Sequence, residues 1–214
     1  DILSFNQTTG KRTEEKGYET GLFITSDRVY DEITGGGVCQ TSTTLFNAAI
    51  EAGATEVGKG GPIEITRRYP HSWPSTYVAA GRDASVNWPS ADLVMRNNRT
   101  TPLFIRAYFE NYTVTFEIWG VPQENDAQYE IEVVLVSETE APPQEYVIDT
   151  AHKYVSKPGE YKVVSESRKG YFYETYQIKK VPGQEPVRTL IYTSTYNPIP
   201  GKTYYIPAEE GASE

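Results

Sequence analysis

The chain has 214 residues, and its 20 Lys and Arg against 29 Asp and Glu give a formal net charge of −9 at pH 7. This acidic balance argues against nucleic acid or an anionic membrane surface as the main partner, because both require a basic protein face. The single cysteine excludes an internal disulfide and leaves the redox compartment open. A chain of this length can bury a core without disulfides, and we expect two domains.

The first 34 residues read as short irregular pieces. Leu22, Phe23 and Ile24 predict a short buried strand, and the pairs Gly17-Tyr18 and Ser26-Asp27 predict turns on either side of it. No residue pattern in this part points to a particular chemistry.

A glycine loop, Gly35 to Gly37, leads into a run with helical spacing. Gly53 follows this run as a C-terminal stop signal. Four small or apolar residues fall on the predicted buried face of the helix: Leu45, Ala48, Ala49 and Ala52. The only cysteine, Cys39, is therefore predicted to lie where the glycine loop becomes a helix.

A cysteine at a helix start has two interpretations. The unpaired amides and the positive end of the helix dipole favour the nucleophilic thiolate, and the amides of Gly37, Val38 and Gln40 could hold an oxyanion. Alternatively, Cys39 is a small buried apolar residue and the glycines only permit close packing. The spacing alone does not decide between them.

The segment after the predicted strand at residues 63–69 holds one of the two histidines. Prolines restrict the backbone on both sides of His71, and Ser72, Trp73 and Tyr77 are its neighbours. Histidine exchanges protons near neutral pH, and cysteine nucleophiles commonly depend on one. The alternative is a polar loop histidine without a catalytic role.

Gly81-Arg82-Asp83 follows in a turn-like context. Asp83 could orient His71, and the planar guanidinium of Arg82 could bind a substrate carboxylate. A structural ion pair that involves Arg82 and Asp83 is the equally plausible alternative.

The rest of the chain reads as β structure. Residues 102–119 predict a hairpin with a turn at Glu110-Asn111, and residues 120–126 form a polar break. Beyond this break, further strands are predicted at residues 129–137, 161–165, 171–181 and 187–195. We therefore predict an α+β fold, in which a small mixed α/β catalytic domain (1–122) precedes an elongated all-β module (129–207) and a tail or linker (208–214).

Several motifs in order resemble the VanW domain family. The most specific are Gly35-Gly36-Gly37-Val38-Cys39-Gln40, Pro70-His71-Ser72-Trp73-Pro74 and Gly81-Arg82-Asp83-Ala84, and the resemblance begins at Ser4-Phe5-Asn6, Gly10 and Arg12-Thr13. It covers nearly all of residues 1–120. Residues 129–207 look like the G-five module, an elongated β unit found on bacterial surface proteins, on the strength of glycines between Tyr-rich strands.

The resemblance implies a cysteine-dependent L,D-transpeptidase of bacterial peptidoglycan. Cys39 would be the nucleophile and His71 the proton shuttle, without a metal or cofactor. The remaining predicted oxyanion or substrate-binding residues are Gly37, Val38, Gln40, Ser42, Ser72, Trp73, Tyr77, Arg82 and Asp83. The implied partners are peptidoglycan stem peptides and glycan. The implied location is extracytoplasmic and cell-wall associated, with a membrane anchor in a segment that is absent from this sequence. No apolar run in this sequence approaches the roughly 20 residues of a membrane helix.

Two alternatives to the transpeptidase remain open. An L,D-carboxypeptidase would form the same acyl-enzyme and pass it to water, a choice made by acceptor binding and water exclusion. A non-catalytic wall-binding or adhesion protein would use its β module to bind glycan, with Cys39 as a structural residue. Product analysis with and without an added amine acceptor separates the two enzymes, and a lack of D-alanine release from purified muropeptides would favour the non-catalytic protein.

Overall fold

The computed structural model of the chain describes residues 1–24, 30–68, 78–123 and 126–208. Within these ranges the chain forms fourteen strands, two α-helices and one 3₁₀ turn at Glu14–Lys16. In chain order the elements are β1 (Ile2–Ser4), α1 (Phe5–Thr9), β2 (Thr20–Ile24), β3 (Tyr30–Thr34), α2 (Val38–Glu51), β4 (Ala54–Glu56), β5 (Ile63–Thr66), β6 (Val94–Asn97), β7 (Leu103–Glu110), β8 (Thr113–Gly120), β9 (Gln128–Thr139), β10 (Glu145–Ile148), β11 (Tyr161–Ser165), β12 (Gly170–Lys180), β13 (Val187–Tyr196) and β14 (Lys202–Tyr205).

The predicted α+β fold class is wrong, because the described chain is mostly β and its strands form small sheets. The five-residue helix α1 and the fourteen-residue helix α2 are the α-helices of the described ranges. Only the segment after the glycine loop has apolar residues at helical spacing over several turns. Elsewhere apolar residues alternate or stand in short β-branched and aromatic runs, which favour strands.

Helix α2 forms where the sequence predicts it, but its buried face is displaced from the predicted one. Leu45 and Ala49 are buried as expected, whereas Ala48 and Ala52 are only half-buried. The other buried residues of α2 are Ser42, Thr43, Phe46 and Ile50. The predicted stop is confirmed, since Gly53 directly follows the cap residue Ala52 with φ +94°.

The strands of the first half form a four-stranded sheet and two hairpins. The four-stranded sheet has the order β1-β6-β5-β4 and shares one core with α2. The hairpin β7–β8 is confirmed, and its turn lies at Asn111-Tyr112, one residue later than predicted, with positive φ at both positions. The strand predicted at Leu22 exists as part of hairpin β2–β3, but Leu22 is 59% exposed rather than buried.

The strands of the second half form two further three-stranded sheets, β13-β12-β9 and β10-β14-β11. All four predicted strands of this half are present, and three of them have slightly different ends. The sequence prediction missed the short strands β10 and β14, which pair in parallel. Parallel strands are not joined by a hairpin turn, so no local turn pattern in the sequence predicts their pairing.

The sheet β13-β12-β9 packs against the first half of the chain. Ile191 and Tyr192 of β13 are buried in the same hydrophobic cluster as Phe46 and Ile50 of α2. The side-chain amide of Gln177 on β12 donates to the carbonyl of Ile50 at 2.8 Å and to that of Ala54 at 3.2 Å. The hydrophobic core of residues 1–122 therefore includes side chains from beyond the predicted boundary.

A polar network around Arg67 crosses the same contact. The guanidinium lies 4.9 Å from the ring centroid of Phe46 and 4.7 Å from that of Tyr192. It donates to the backbone carbonyl of Asp83 and, at 2.9 Å, to the hydroxyl of Ser194 on β13. One cation thus joins α2, the segment around Asp83 and β13.

Two buried tyrosines of β13 should make the fold sensitive to alkali. Burial raises the pKa of Tyr192 and of Tyr196 above the ordinary value of 10.0, and the Asp83 carboxylate raises that of Tyr196 further. A raised pKa in the folded state gives stability that is complete below the unfolded pKa of about 10 and is lost as the pH rises above it. We expect the unfolding free energy to fall by about 1.4 kcal/mol per pH unit per tyrosine above pH 10.

Urea unfolding between about pH 8 and pH 11 measures this loss. The variant Tyr196→Phe lacks one of the two phenols, so its stability should fall less steeply with pH than that of the wild type. Equal slopes for the two proteins would contradict the assignment to Tyr196.

Candidate active site

The glycine loop ends at the first turn of α2. Gly37 is the N-cap residue with φ +89°, and no side chain caps the helix. Val38 and Cys39 are the first two helical residues, so their amides have no carbonyl acceptor within the helix. The predicted position of Cys39 at the start of the helix is confirmed.

Cys39 is half-buried and is not in a disulfide. Its Sγ lies 3.4 Å from the backbone carbonyl oxygen of Val86, to which the thiol donates. The side chain packs at the edge of the hydrophobic core. The thiol is thus held by one weak hydrogen bond and keeps partial access to solvent.

Two hydroxyls of α2 attach the segment before Val86 to the helix. The Ser42 hydroxyl donates to the carbonyl of Ala84, and Thr43 Oγ1 accepts the Ala84 amide at 3.0 Å. Ser42 is fully buried and also lies 3.1 Å from the carbonyl oxygen of Cys39. Among the predicted substrate-binding residues, Ser42 therefore fixes the backbone beside Cys39.

The glycine loop packs backbone to backbone against hairpin β2–β3. A Cβ atom at Gly36 would lie 2.1 Å from the carbonyl oxygen of Gly21, and one at Gly21 would lie 2.7 Å from that of Gly36. The amide of Gly36 also donates to the carbonyl of Ile33 at 2.9 Å. Both positions require glycine because any Cβ atom would clash with the facing backbone. Neither has the positive φ that would favour glycine.

This contact predicts that Gly36→Ala is strongly destabilising or displaces hairpin β2–β3, because neither backbone can yield without loss of its hydrogen bonds. The control is Gly37→Ala. A Cβ atom at Gly37 meets nothing within 4 Å, and its positive φ costs an alanine only about 1–2 kcal/mol. Urea unfolding of both variants measures the difference, and a smaller loss for Gly36→Ala would contradict the backbone contact.

Arg82 and Asp83 lie next to each other in sequence but enter different contacts. Arg82 donates to the side chains of Asn47 and Glu51, two and three turns into α2, and forms an ion pair with Glu51. Asp83 is 1% exposed, and its carboxylate accepts a hydrogen bond from the Tyr196 hydroxyl. The predicted orientation of His71 by Asp83 stays a prediction, because His71 lies outside the described residues.

The proton shuttle predicted from the sequence lies outside the described residues. His71 and its neighbours Ser72, Trp73 and Tyr77 all fall within residues 69–77. Contact between His71 and Cys39 therefore stays a prediction. Gln40 is described, is exposed on the first turn of α2, and donates its amide to the carbonyl of Gly37 at 2.9 Å.

The sequence prediction gave no role to a polar cluster between α1 and the segment after Val86. Asn6 is 3% exposed, and its amide nitrogen donates to the carbonyls of Ala91 at 2.8 Å and Asn87 at 3.4 Å. Its side-chain oxygen Oδ1 accepts from Arg12 Nη2 at 2.7 Å. The one available signal was that Asn6 and Arg12 belong to the motifs of the family resemblance.

Asp92 completes this cluster. Its carboxylate accepts from the Ser4 hydroxyl at 2.5 Å and from the Asn6 amide at 2.8 Å. Within the described ranges, no group of three or more His, Cys, Asp or Glu side chains could hold a metal ion. No helix in the same ranges has the length and apolar character that a membrane crossing requires.

The fold and the site define a mostly β protein that presents a cysteine at the start of its longer helix. Residues 1–119 match the family model described as VanW like protein. A relative from Bacillus subtilis (strain 168), named "Uncharacterized protein YoaR", is 39% identical over 107 residues, which cover 50% of this chain and 32% of the relative. The chain belongs to the VanW family, and the matched region spans about a third of this curated relative.

A similarity to one solved structure is weaker. The chain titled "IgA1 Protease G5 domain structure" aligns with a TM-score of 0.25 and 20% identity, and the alignment covers 41% of this chain and 96% of that one. This TM-score is too low to support an argument about the second half. The description of β9 to β14 rests on the strands themselves.

Proposed function

We propose that this protein is a cysteine-dependent acyltransferase of the bacterial cell wall, an L,D-transpeptidase that cross-links peptidoglycan stem peptides. Membership in the VanW family supports the association with the cell wall. The observation that carries the catalytic part is the position of Cys39, which is partly exposed and is the second residue of α2, one residue after the glycine loop. A helix start of this kind supplies amide donors and a favourable dipole to a reacting thiolate.

The reaction consists of two acyl transfers through one thioester. In the first, the Cys39 thiolate attacks the carbonyl carbon between diaminopimelate and D-alanine, and the amides of Val38 and Cys39 stabilise the oxyanion. The C–N bond then breaks, and D-alanine leaves as an amine with a proton from His71. The products of this step are free D-alanine and a thioester on Cys39.

The second transfer regenerates the enzyme. An amine on a neighbouring stem peptide attacks the thioester carbonyl and gives up its proton to His71. The C–S bond breaks, a new amide bond forms, and the thiolate returns to its initial state. An extracytoplasmic location, with a membrane anchor in the full-length chain, is part of the same proposal.

Mass spectrometry of the protein after incubation with purified tetrapeptide muropeptides tests the proposal. We expect an adduct on Cys39 equal in mass to the muropeptide minus D-alanine, and a cross-linked product when an amine acceptor is added. Hydrolysed tripeptide even with abundant acceptor would indicate an L,D-carboxypeptidase instead. Retention on wall sacculi without any adduct or D-alanine release would indicate a wall-binding protein without catalysis.

A further inference from the structure

Arg12 is a half-buried arginine with no carboxylate partner in the part of the chain that the structure describes. Its contacts are the neutral side chain of Asn6 and the ring of Phe5, whose centroid is 5.8 Å from the guanidinium carbon. Two other half-buried arginines of the first half do form ion pairs, Arg82 with Glu51 and Arg99 with Asp126. Among the described residues, the charge of Arg12 is therefore left without an anion.

One arm of this guanidinium also lacks a hydrogen bond. Nη2 is held by Asn6, but Nη1 is buried and has no acceptor among the described residues. Buried donors are nearly always paired in native proteins. An unpaired donor costs about 1–3 kcal/mol, and more when the group is charged. This arrangement is unfavourable unless an acceptor from outside the described residues completes it.

The position of Arg12 connects it with the candidate active site. A Cβ atom at Gly35 would lie 2.5 Å from Cβ of Arg12, so the arginine stem packs directly on the first residue of the glycine loop that leads to Cys39. Asn6, which orients the guanidinium, also holds the carbonyl of Asn87. Asn87 follows Val86, whose carbonyl accepts from the Cys39 thiol. Arg12 thus adjoins both segments that flank the cysteine.

We propose that Arg12 is a specificity-determining residue that binds the C-terminal carboxylate of the substrate, one residue beyond the bond that Cys39 attacks. This inference rests on the proposed acyl transfer. A planar guanidinium with one arm fixed and the other unpaired is prepared for a carboxylate oxygen. Arg82, to which the sequence analysis gives this role, is already paired with Asn47 and Glu51.

Calorimetric binding to the Cys39→Ala protein tests the inference without turnover. The probes are a synthetic stem tetrapeptide with a free C-terminal carboxylate and the same peptide as its C-terminal carboxamide. With Arg12 present we expect the acid to bind roughly 10-fold to 100-fold more tightly than the amide, the range for a hydrogen bond to a charged group. Adding Arg12→Gln should remove this preference while affinity for the amide changes little.

A matched control and a second variant separate recognition from folding. Arg96→Gln removes the same charge from an exposed position on β6 and should keep the preference for the acid. Arg12→Lys keeps the charge but lacks the planar fork, so the preference should shrink in this variant even if Arg12→Gln does not fold. Circular dichroism and urea unfolding establish that each variant is folded.

Three outcomes would overturn the inference. These are an unchanged preference for the acid in folded Arg12→Gln, equal affinity for the two probes when Arg12 is present, and no binding of either probe. A preference for the acid that is lost in Arg12→Gln supports the inference even if no thioester forms on Cys39. Such a result would separate carboxylate recognition from a failure of the proposed catalysis.

Discussion

Cys39→Ala should abolish D-alanine release and cross-linking while it leaves the unfolding free energy nearly unchanged. The chain has no second thiol, so no other side chain can form the thioester. The folded state loses little, because Cys39 is only half-buried and its Sγ makes one weak hydrogen bond to Val86. Chromatography of muropeptide products gives the activity, and urea unfolding gives the stability.

Cys39→Ser is the matched control for this experiment. Serine keeps the size and a hydrogen-bond donor toward Val86, but its hydroxyl is a far poorer nucleophile than a thiol. Activity should therefore be lost in the serine variant although the local hydrogen bond is preserved. Cross-linking by a folded Cys39→Ala protein would exclude Cys39 as the nucleophile.

A fragment of residues 1–128 should fail to unfold cooperatively. It lacks Ile191 and Tyr192, which are buried against α2, and it lacks the Gln177 amide that satisfies the carbonyls of Ile50 and Ala54. Each large buried side chain contributes about 1.5–3 kcal/mol, and each lost hydrogen bond costs about 0.5–1.5 kcal/mol. Together these losses approach the whole stability of a typical domain, about 5–15 kcal/mol.

Urea unfolding followed by tryptophan fluorescence and circular dichroism measures the effect. A protein that ends at Ala208 is the control, because it keeps every described strand and should unfold like the full chain. A cooperative transition of the 1–128 fragment with native-like stability would show that residues 1–122 fold independently, as the sequence analysis predicts. That boundary stays a prediction until this measurement.

Local sequence patterns were sufficient to predict helix α2 and the hairpin β7–β8. The glycine loop, the helical spacing after it and the stop at Gly53 predicted α2 to within a residue. Alternation around a polar turn predicted the hairpin β7–β8. Both patterns depend on residues that are close in the chain, which is where sequence reasoning is strongest.

Contacts between distant segments were not predictable. The buried face of α2 includes Phe46, whose ring packs on that of Tyr192 in β13, and no local pattern places a strand some 140 residues away on that face. From the sequence, Arg82 was an equally good candidate for binding a substrate carboxylate and for a structural ion pair. The structure pairs it with Glu51, which is distant in sequence. Arg12 gave no signal of its own, since burial of Nη1 follows only from the packing of α1 and the glycine loop.

The shared core limits which segments of the chain can be joined to a different protein. The family match ends at residue 119, yet the carbonyls of Ile50, Ala54 and Ile65 receive their side-chain donors from Gln177 and Tyr192. A chimera that joins residues 1–119 to an unrelated partner would lose these three side-chain hydrogen bonds and would leave an apolar helix face uncovered. Any protein that carries this region beside a different module must cover the same face of α2 with other side chains.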